Sequence, residues 1–134
     1  MFSYIQGTFE EKLQSIEKFL QENNTYDQIF LLKKHSPFFL SQGTQDQLVQ
    51  GCQSQVWINC KKENNELIFL TKSDSILVEG ISLILCYLYS SSITIFPSLP
   101  FTKEFSFSTL FSTNRVFGIK AIQKKILLEG LKCL

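Results

Sequence analysis

Hydrophobic residues recur at helical spacing from the beginning of the sequence. Thr8 and Glu11 fit a capping box, in which each side chain bonds the backbone N–H of the other residue. Apolar positions follow at offsets of four, three and four residues, at Phe9, Leu13, Ile16 and Leu20. A second apolar run, from Tyr26 to Leu32, ends before Pro37, which cannot continue a helix. The pattern predicts two short helices packed as a hairpin.

The middle of the chain alternates between apolar and polar positions, which is typical of a half-buried strand. Val56, Ile58 and Cys60 fall on one face of such a strand. Polar residues at 61–65 indicate a turn, and a second strand is expected at residues 66–72. We therefore predict a β-hairpin.

A segment that is apolar on nearly every side, Ile76 to Tyr89, follows the hairpin. Only Glu79 and Ser82 interrupt it, which is typical of a helix buried in a core. Three residues before it are able to cap a helix, namely Ser73, Asp74 and Ser75. We predict a central helix here, and for Asp74 we expect helix capping first and partner contact second.

The last helix is predicted to begin with a cap at Thr113 or Asn114. Its inward positions are Val116, Ile119, Ile122 and Ile126, and its outward positions are Lys120, Lys124 and Glu129. Gly118 lies inside this helix and Gly80 inside the preceding one, each at a cost of about 1 kcal/mol relative to alanine. Glycines at such positions indicate close backbone packing.

These elements predict an α+β fold in a single domain that spans residues 1–134. We expect a small antiparallel sheet packed by the N-terminal helical hairpin, the central apolar helix and the C-terminal helix. Residues 38–50 are predicted to form a loop, and the Ser- and Phe-rich residues 90–112 show no pattern that assigns a structure. With 44% hydrophobic residues, a chain of this length buries a real core.

Charge and hydropathy argue against several classes of protein. Thirteen basic and twelve acidic residues give a formal charge of +1, without a basic stripe, so nucleic acid is not an expected partner. The uncharged stretch at residues 80–102 has a continuous apolar part of only Ile81 to Tyr89, and a membrane span needs about 20 apolar residues. The first residues show no secretion signal, so we expect a cytoplasmic protein without membrane contact.

Four cysteines are present without a C-x-x-C pair, at Cys52, Cys60, Cys86 and Cys133. The chain has one histidine. Because zinc and iron–sulfur sites need clustered ligands, no metal site is expected. In a reducing compartment the four cysteines are expected to be free thiols.

Cys52 has the sequence context of a reactive thiol. Gly51 is able to adopt backbone angles closed to other residues, and so presents the next side chain at the tip of a tight turn. Ser54 adds a hydroxyl, and the backbone N–H groups of the turn favour a negative sulfur. The alternative is a small buried residue at the end of a strand, which is also typical of free cysteines.

Two further residues have both a functional and an ordinary interpretation. Arg115 lies near a helix N-terminus, where the dipole disfavours a cation by about 0.3–1 kcal/mol. It therefore either faces an anion, such as the Cys52 thiolate, or lies exposed on the surface. His35 lies near the end of a lysine-flanked helix, and we expect a C-terminal cap there rather than a base for Cys52.

The segment VQGCQSQVW at residues 49–57 resembles the active-cysteine segment of the SufE family, sulfur acceptors that work with cysteine desulfurases. The segment at residues 73–80 is similar to the entry of that family into its middle helix, and residues 114–119 are similar to the start of its last helix. The match runs from Val49 onward, and the N-terminal helices fit in outline. The Phe-rich residues 101–111 and the additional thiol of Cys60 depart from the family.

The resemblance implies a SufE/NifU-like fold and a sulfur carrier for iron–sulfur cluster assembly. Cys52 is then the persulfide acceptor, which takes sulfur from a SufS-like cysteine desulfurase and passes it to a downstream acceptor. The resemblance also gives roles to other residues. Gly51, Gln53 and Ser54 support the loop, Arg115 stabilises the thiolate, and Asp74 contacts the partner. Pyridoxal phosphate belongs to the desulfurase, so no cofactor is expected in this chain.

Three functions remain open from the sequence. The favoured one is a stoichiometric sulfur-transfer partner and activator of a desulfurase, as a monomer or weak dimer. A cluster-assembly scaffold that binds metal needs several clustered ligands. A cysteine-dependent hydrolase needs a histidine-based partner for its thiol. The position of Cys60 on a strand face argues against its reaching a Cys52 persulfide.

Overall fold

The computed structural model describes residues 7–22, 37–105 and 115–134, with Glu22 and residues 115–117 as backbone only. Within these ranges the chain order is α1 (Phe9–Glu22), β1 (Val56–Glu63), β2 (Glu66–Ser73), α2 (Ile76–Tyr89), β3 (Ser91–Ser92) and α3 (Arg115–Cys133). The predicted second helix, His35 and the caps proposed at Thr113 or Asn114 lie outside the described residues.

The first helix begins with the capping box that the sequence predicts. The Thr8 backbone N–H donates to Glu11 Oε1 at 3.0 Å, and the Glu11 backbone N–H donates to Thr8 Oγ1 at 3.2 Å. These two bonds satisfy N–H groups that a helix start would otherwise leave without partners. The apolar stripe of α1 is buried, at Leu13, Ile16 and Leu20.

The strands form one antiparallel sheet in the order β1-β2-β3. β1 and β2 pair along all eight residues of each strand, which confirms the predicted hairpin. Asn64 and Asn65 close it with φ angles of 53° and 63°, as in a two-residue type I′ turn. The turn is therefore shorter than the predicted 61–65, because two asparagines in this conformation suffice to reverse the chain.

The core lies between one face of the sheet and the helices. Strand residues Val56, Ile58, Leu67 and Phe69 have no exposed surface. α2 has the predicted bounds and is central, since every residue from 79 to 89 is buried. From α3, the inward positions Ile119, Ile122 and Ile126 complete the core as predicted. The arrangement confirms an α+β fold.

Two predictions about single side chains are wrong. Glu129 does not face outward, because only 9% of it is exposed and its carboxylate bonds Lys125 at 2.9 Å and Lys132 at 3.3 Å. The two cations make burial of the acid tolerable. Asp74 is not the cap of α2, because Ser75 takes that position and accepts a hydrogen bond from the Val78 N–H.

The segments without a clear sequence pattern contact the sheet. Residues 38–50 are largely irregular, as predicted, but Phe39 forms a bridge with Thr71 and Leu48 forms one with Trp57. Residues 91–105 supply the short β3 and three phenylalanines that pack in or against the core, Phe96, Phe101 and Phe105. In the described part of the chain, no helix combines the length and the apolar character that crossing a membrane requires.

Candidate functional site

Cys52 lies in a loop, residues 50–55, whose two ends are joined by backbone contacts. The Val49 N–H donates to the Val56 carbonyl at 2.7 Å, and the neighbouring Leu48 forms a bridge with Trp57. Val49 and Val56 are both buried, so the two ends of the loop are held in the core. The loop is therefore fixed at its base.

A second anchor ties the last residue of the loop to the start of α2. The Gln55 N–H donates to Asp74 Oδ1 at 3.0 Å, and the Asp74 N–H donates to the Gln55 carbonyl at 3.2 Å. The Ser73 hydroxyl donates to the same carbonyl at 2.7 Å. Asp74 is itself exposed. The sequence gives no sign that Gln55 and Ser73 anchor the loop, since bonds between residues 18 and 19 positions apart leave no local pattern.

The tip of the loop depends on a glycine. Gly51 has a φ of 91°, in the region that glycine adopts without steric cost. A Cβ atom at Gly51 would lie 3.7 Å from the Cβ of Ala121 on α3, so the tip lies against that helix. Beyond the cysteine, Gln53 is exposed and Ser54 is half-buried.

The sulfur of Cys52 lies against the backbone of α3. Its S–H donates to the Gly118 carbonyl with an Sγ–O distance of 3.7 Å, and a Cβ added at Gly118 would be 3.6 Å from Sγ. The close packing predicted for Gly118 is therefore contact with Cys52. Burial raises the pKa of the Cys52 thiol, so the protonated form predominates at neutral pH.

Arg115 is the first residue of α3, three positions before Gly118. Three residues amount to less than one helical turn, or about 4.5 Å of rise along the axis. The fold thus brings the backbone of Arg115 to the end of the helix on which the Cys52 sulfur lies.

The other three cysteines lie away from the loop. Cys86 is fully buried in α2, and the Sγ atom of Cys133 lies 3.3 Å from the backbone oxygen of Cys60. Cys133 is fifteen residues after Gly118 on α3, which is about 22 Å along a helix. This distance agrees with the expectation that Cys60 does not reach a persulfide on Cys52.

A metal site in a protein needs several acidic, cysteine or histidine side chains that lie close together. In residues 7–22, 37–105 and 115–134, no three of them lie close enough to share a metal ion.

The fold and the site are those of a small α+β protein that carries one half-buried thiol on a loop anchored at its base. The profile of the SufE family, described as an Fe-S metabolism associated domain, matches residues 10–129. The chain therefore belongs to the SufE family, and its role lies in iron–sulfur metabolism. A search of curated proteins finds no match to the chain.

Proposed function

We propose that this protein accepts sulfur from a cysteine desulfurase as a persulfide on Cys52 and passes it on for iron–sulfur cluster assembly. The observation that carries the proposal is the loop at residues 50–55, which is anchored at both ends and rests with its sulfur on Gly118. Such a loop is able to release the thiol without unfolding the domain. Family membership supports a role in sulfur transfer.

The transfer is a thiol exchange that needs no oxidant. The Cys52 thiolate attacks the outer sulfur of the desulfurase persulfide, a new S–S bond forms, and the desulfurase cysteine leaves as a thiolate. The proton that Cys52 lost is taken up by this leaving group. A thiolate on the downstream acceptor then attacks the outer sulfur, and Cys52 returns to its thiol form. Pyridoxal phosphate is supplied by the desulfurase.

Burial of the Cys52 sulfur distinguishes a resting state of the loop, in which the sulfur is covered, from a reactive state, in which it is exposed. At rest, burial raises the pKa of Cys52, so little thiolate is present. Moving the tip away from Gly118 exposes the sulfur to water and returns the pKa toward its ordinary value of about 8.5. In this proposal, docking to the desulfurase activates the nucleophile because it draws the loop outward.

The surface beside the loop offers a docking site for the desulfurase. Asp74 is exposed and holds the base of the loop, and Ile76, two residues later, is 65% exposed at the start of α2. A partner that engages the Cys52 loop also contacts this neighbouring surface. In the proposal, Asp74 and Ile76 contact the partner, and Arg115 supplies positive charge to the thiolate or persulfide.

The proposal is tested by mixing the protein with a cysteine desulfurase and cysteine, without reductant, and measuring intact mass. We expect one added sulfur atom on the wild-type chain and on a Cys60→Ser control, and none on Cys52→Ser. Alanine release by the desulfurase shows that sulfur was available. Addition of sulfur to Cys52→Ser, or no addition to the wild type while alanine is released, would overturn the proposal.

A further inference from the structure

A pair of thiols lies at the opposite end of α3 from the Cys52 loop. Cys60 shares a face of β1 with Val56 and Ile58, and Cys133 is the last residue of α3. The Cys133 Sγ atom lies 3.3 Å from the backbone oxygen of Cys60. Burial is the main reason that the pKa of Cys60 is raised, and the hydrogen bond with the Cys133 thiol raises it further. The Cys133 sulfur therefore lies against the backbone of Cys60, at the point where α3 ends beside β1.

Both thiols of this pair are open to reagents. Cys60 and Cys133 are half-buried, whereas the nearby Cys86 has no exposed surface. Because α3 ends at Cys133, fewer intrahelical bonds hold the last turn. Gly130 in that turn packs against Phe96, so it is the residues after Gly130 that adjust to the Cα separation of about 5.5–6 Å that disulfides prefer.

We propose that Cys60 and Cys133 are a redox-active pair, which a disulfide oxidant such as oxidised glutathione converts into an intrachain disulfide. The Cys133 thiolate attacks one sulfur of oxidised glutathione, which gives a mixed disulfide and one glutathione thiolate. Cys60 then loses its proton and attacks the Cys133 sulfur, which releases the second glutathione. Two protein thiols are oxidised, one glutathione disulfide is reduced, and the two protons pass to the glutathione thiolates.

The chemistry of the second step gives the pair a pH dependence. Burial, the Cys133 thiol, the Glu129 carboxylate on α3 and Cys86 on α2 all raise the pKa of Cys60. Its thiolate fraction at neutral pH is therefore low, so closure of the disulfide accelerates as pH rises. The bond ties the end of α3 to β1 and closes a loop of more than half the chain. Since Gly118 lies about 22 Å away along the helix, Cys52 keeps its thiol when the pair is oxidised.

The test uses the full chain with Cys52→Ser, treated with oxidised glutathione and analysed by intact mass and non-reducing peptide mapping. We expect the loss of two hydrogen atoms and joined peptides that contain Cys60 and Cys133, both reversed by reductant. The midpoint of thermal unfolding should rise by about 5 °C or more on oxidation. Adding Cys133→Ser should abolish the disulfide, and adding Cys86→Ala should leave it intact.

Three outcomes would overturn the proposal: a disulfide that includes Cys86, a disulfide between two chains, or a stable glutathione adduct without an internal disulfide. Because the Cys52→Ser chain has no carrier thiol and no desulfurase is present, none of these results depends on the proposed sulfur transfer.

Discussion

The sulfur of Cys52 lies 3.6 Å from the point where Gly118 would carry a Cβ atom, and burial there raises the pKa of the thiol. A carrier at rest therefore holds a thiol rather than a thiolate. Because alkylating agents and oxidants react with thiolate, the resting sulfur is less reactive than an exposed cysteine. In the proposed transfer, the same residue becomes a nucleophile once the loop leaves α3.

Cys52 is expected to stay protonated to higher pH in the folded chain than in the unfolded chain. Alkylation of Cys52, followed by peptide mass spectrometry across a pH series, should have its midpoint at higher pH in the folded chain than in the same chain in urea. The reason is that burial disfavours the charged form only in the folded state. A folded midpoint at or below that of the unfolded chain would contradict the resting state described for the loop.

The charge of Arg115 is tested by Arg115→Gln, which keeps a long polar side chain. We expect the midpoint of Cys52 alkylation to rise by up to about 0.7 pH units, which corresponds to a loss of roughly 1 kcal/mol of attraction. Lys124→Gln is the matched control, because Lys124 is an exposed cation further along the same helix. Equal curves for wild type and Arg115→Gln would remove Arg115 from the site.

At the level of elements, the Cys52 loop contacts α3, and the proposed sulfur transfer requires this contact to open. The base of the loop is held by Val49, Val56 and Gln55, whereas its tip meets α3 at Gly118 and Ala121. In the proposed transfer, sulfur enters and leaves at the tip. The element that must stay ordered during transfer is therefore the base, and the contact that must break is the one with the helix.

Gly118→Ala tests whether this contact also shelters the persulfide. The new methyl group would lie 3.6 Å from Sγ, an ordinary contact that leaves the thiol form folded, and alanine stabilises a helix by up to about 1 kcal/mol. The outer sulfur extends about 2 Å further and competes with the methyl group for space. We expect the isolated persulfide to lose its outer sulfur to dithiothreitol several times faster than in the wild type.

The measurement for this variant pairs thermal unfolding with the time course of persulfide loss. An unchanged or higher unfolding midpoint together with faster loss supports the sheltering role of Gly118. An equal rate of loss in a folded variant would show that the persulfide does not rest on α3.

On the scale of the whole molecule, the surface beside the loop is separated from the far end of the sheet. Ile76 lies next to the anchored base, whereas Ile95 follows β3, which pairs with the opposite end of β2. The eight residues of β2 span about 23 Å. The two isoleucines are 65% and 54% exposed, so they form a matched pair of surface positions.

We predict that Ile76→Asp weakens sulfur transfer and that Ile95→Asp does not. A charge at an apolar contact costs desolvation energy on docking, so the desulfurase concentration needed for half-maximal transfer should rise about tenfold or more for Ile76→Asp. Circular dichroism checks that both variants remain folded. Equal effects of the two substitutions would place the docking surface elsewhere.

Much of this architecture is predictable because its patterns are local. The capping box at Thr8, the hairpin strands and the bounds of α2 each depend on residues close together in sequence. The contact between Cys52 and Gly118 joins residues 66 positions apart, and β3 has two residues, too few for an alternating pattern. The periodicity of the sequence predicts neither the contact nor the strand. The packing around Cys52 is therefore seen only in the structure.

The measurement that tests the account most directly is the position of the added sulfur in the wild-type chain after one round of transfer. Persulfides are alkylated, the chain is digested, and each cysteine peptide is analysed by mass. We predict an added sulfur on the peptide that contains Cys52 and none on the peptides that contain Cys60, Cys86 or Cys133. Sulfur on any of those three peptides, with Cys52 unmodified, would contradict the carrier role of the loop.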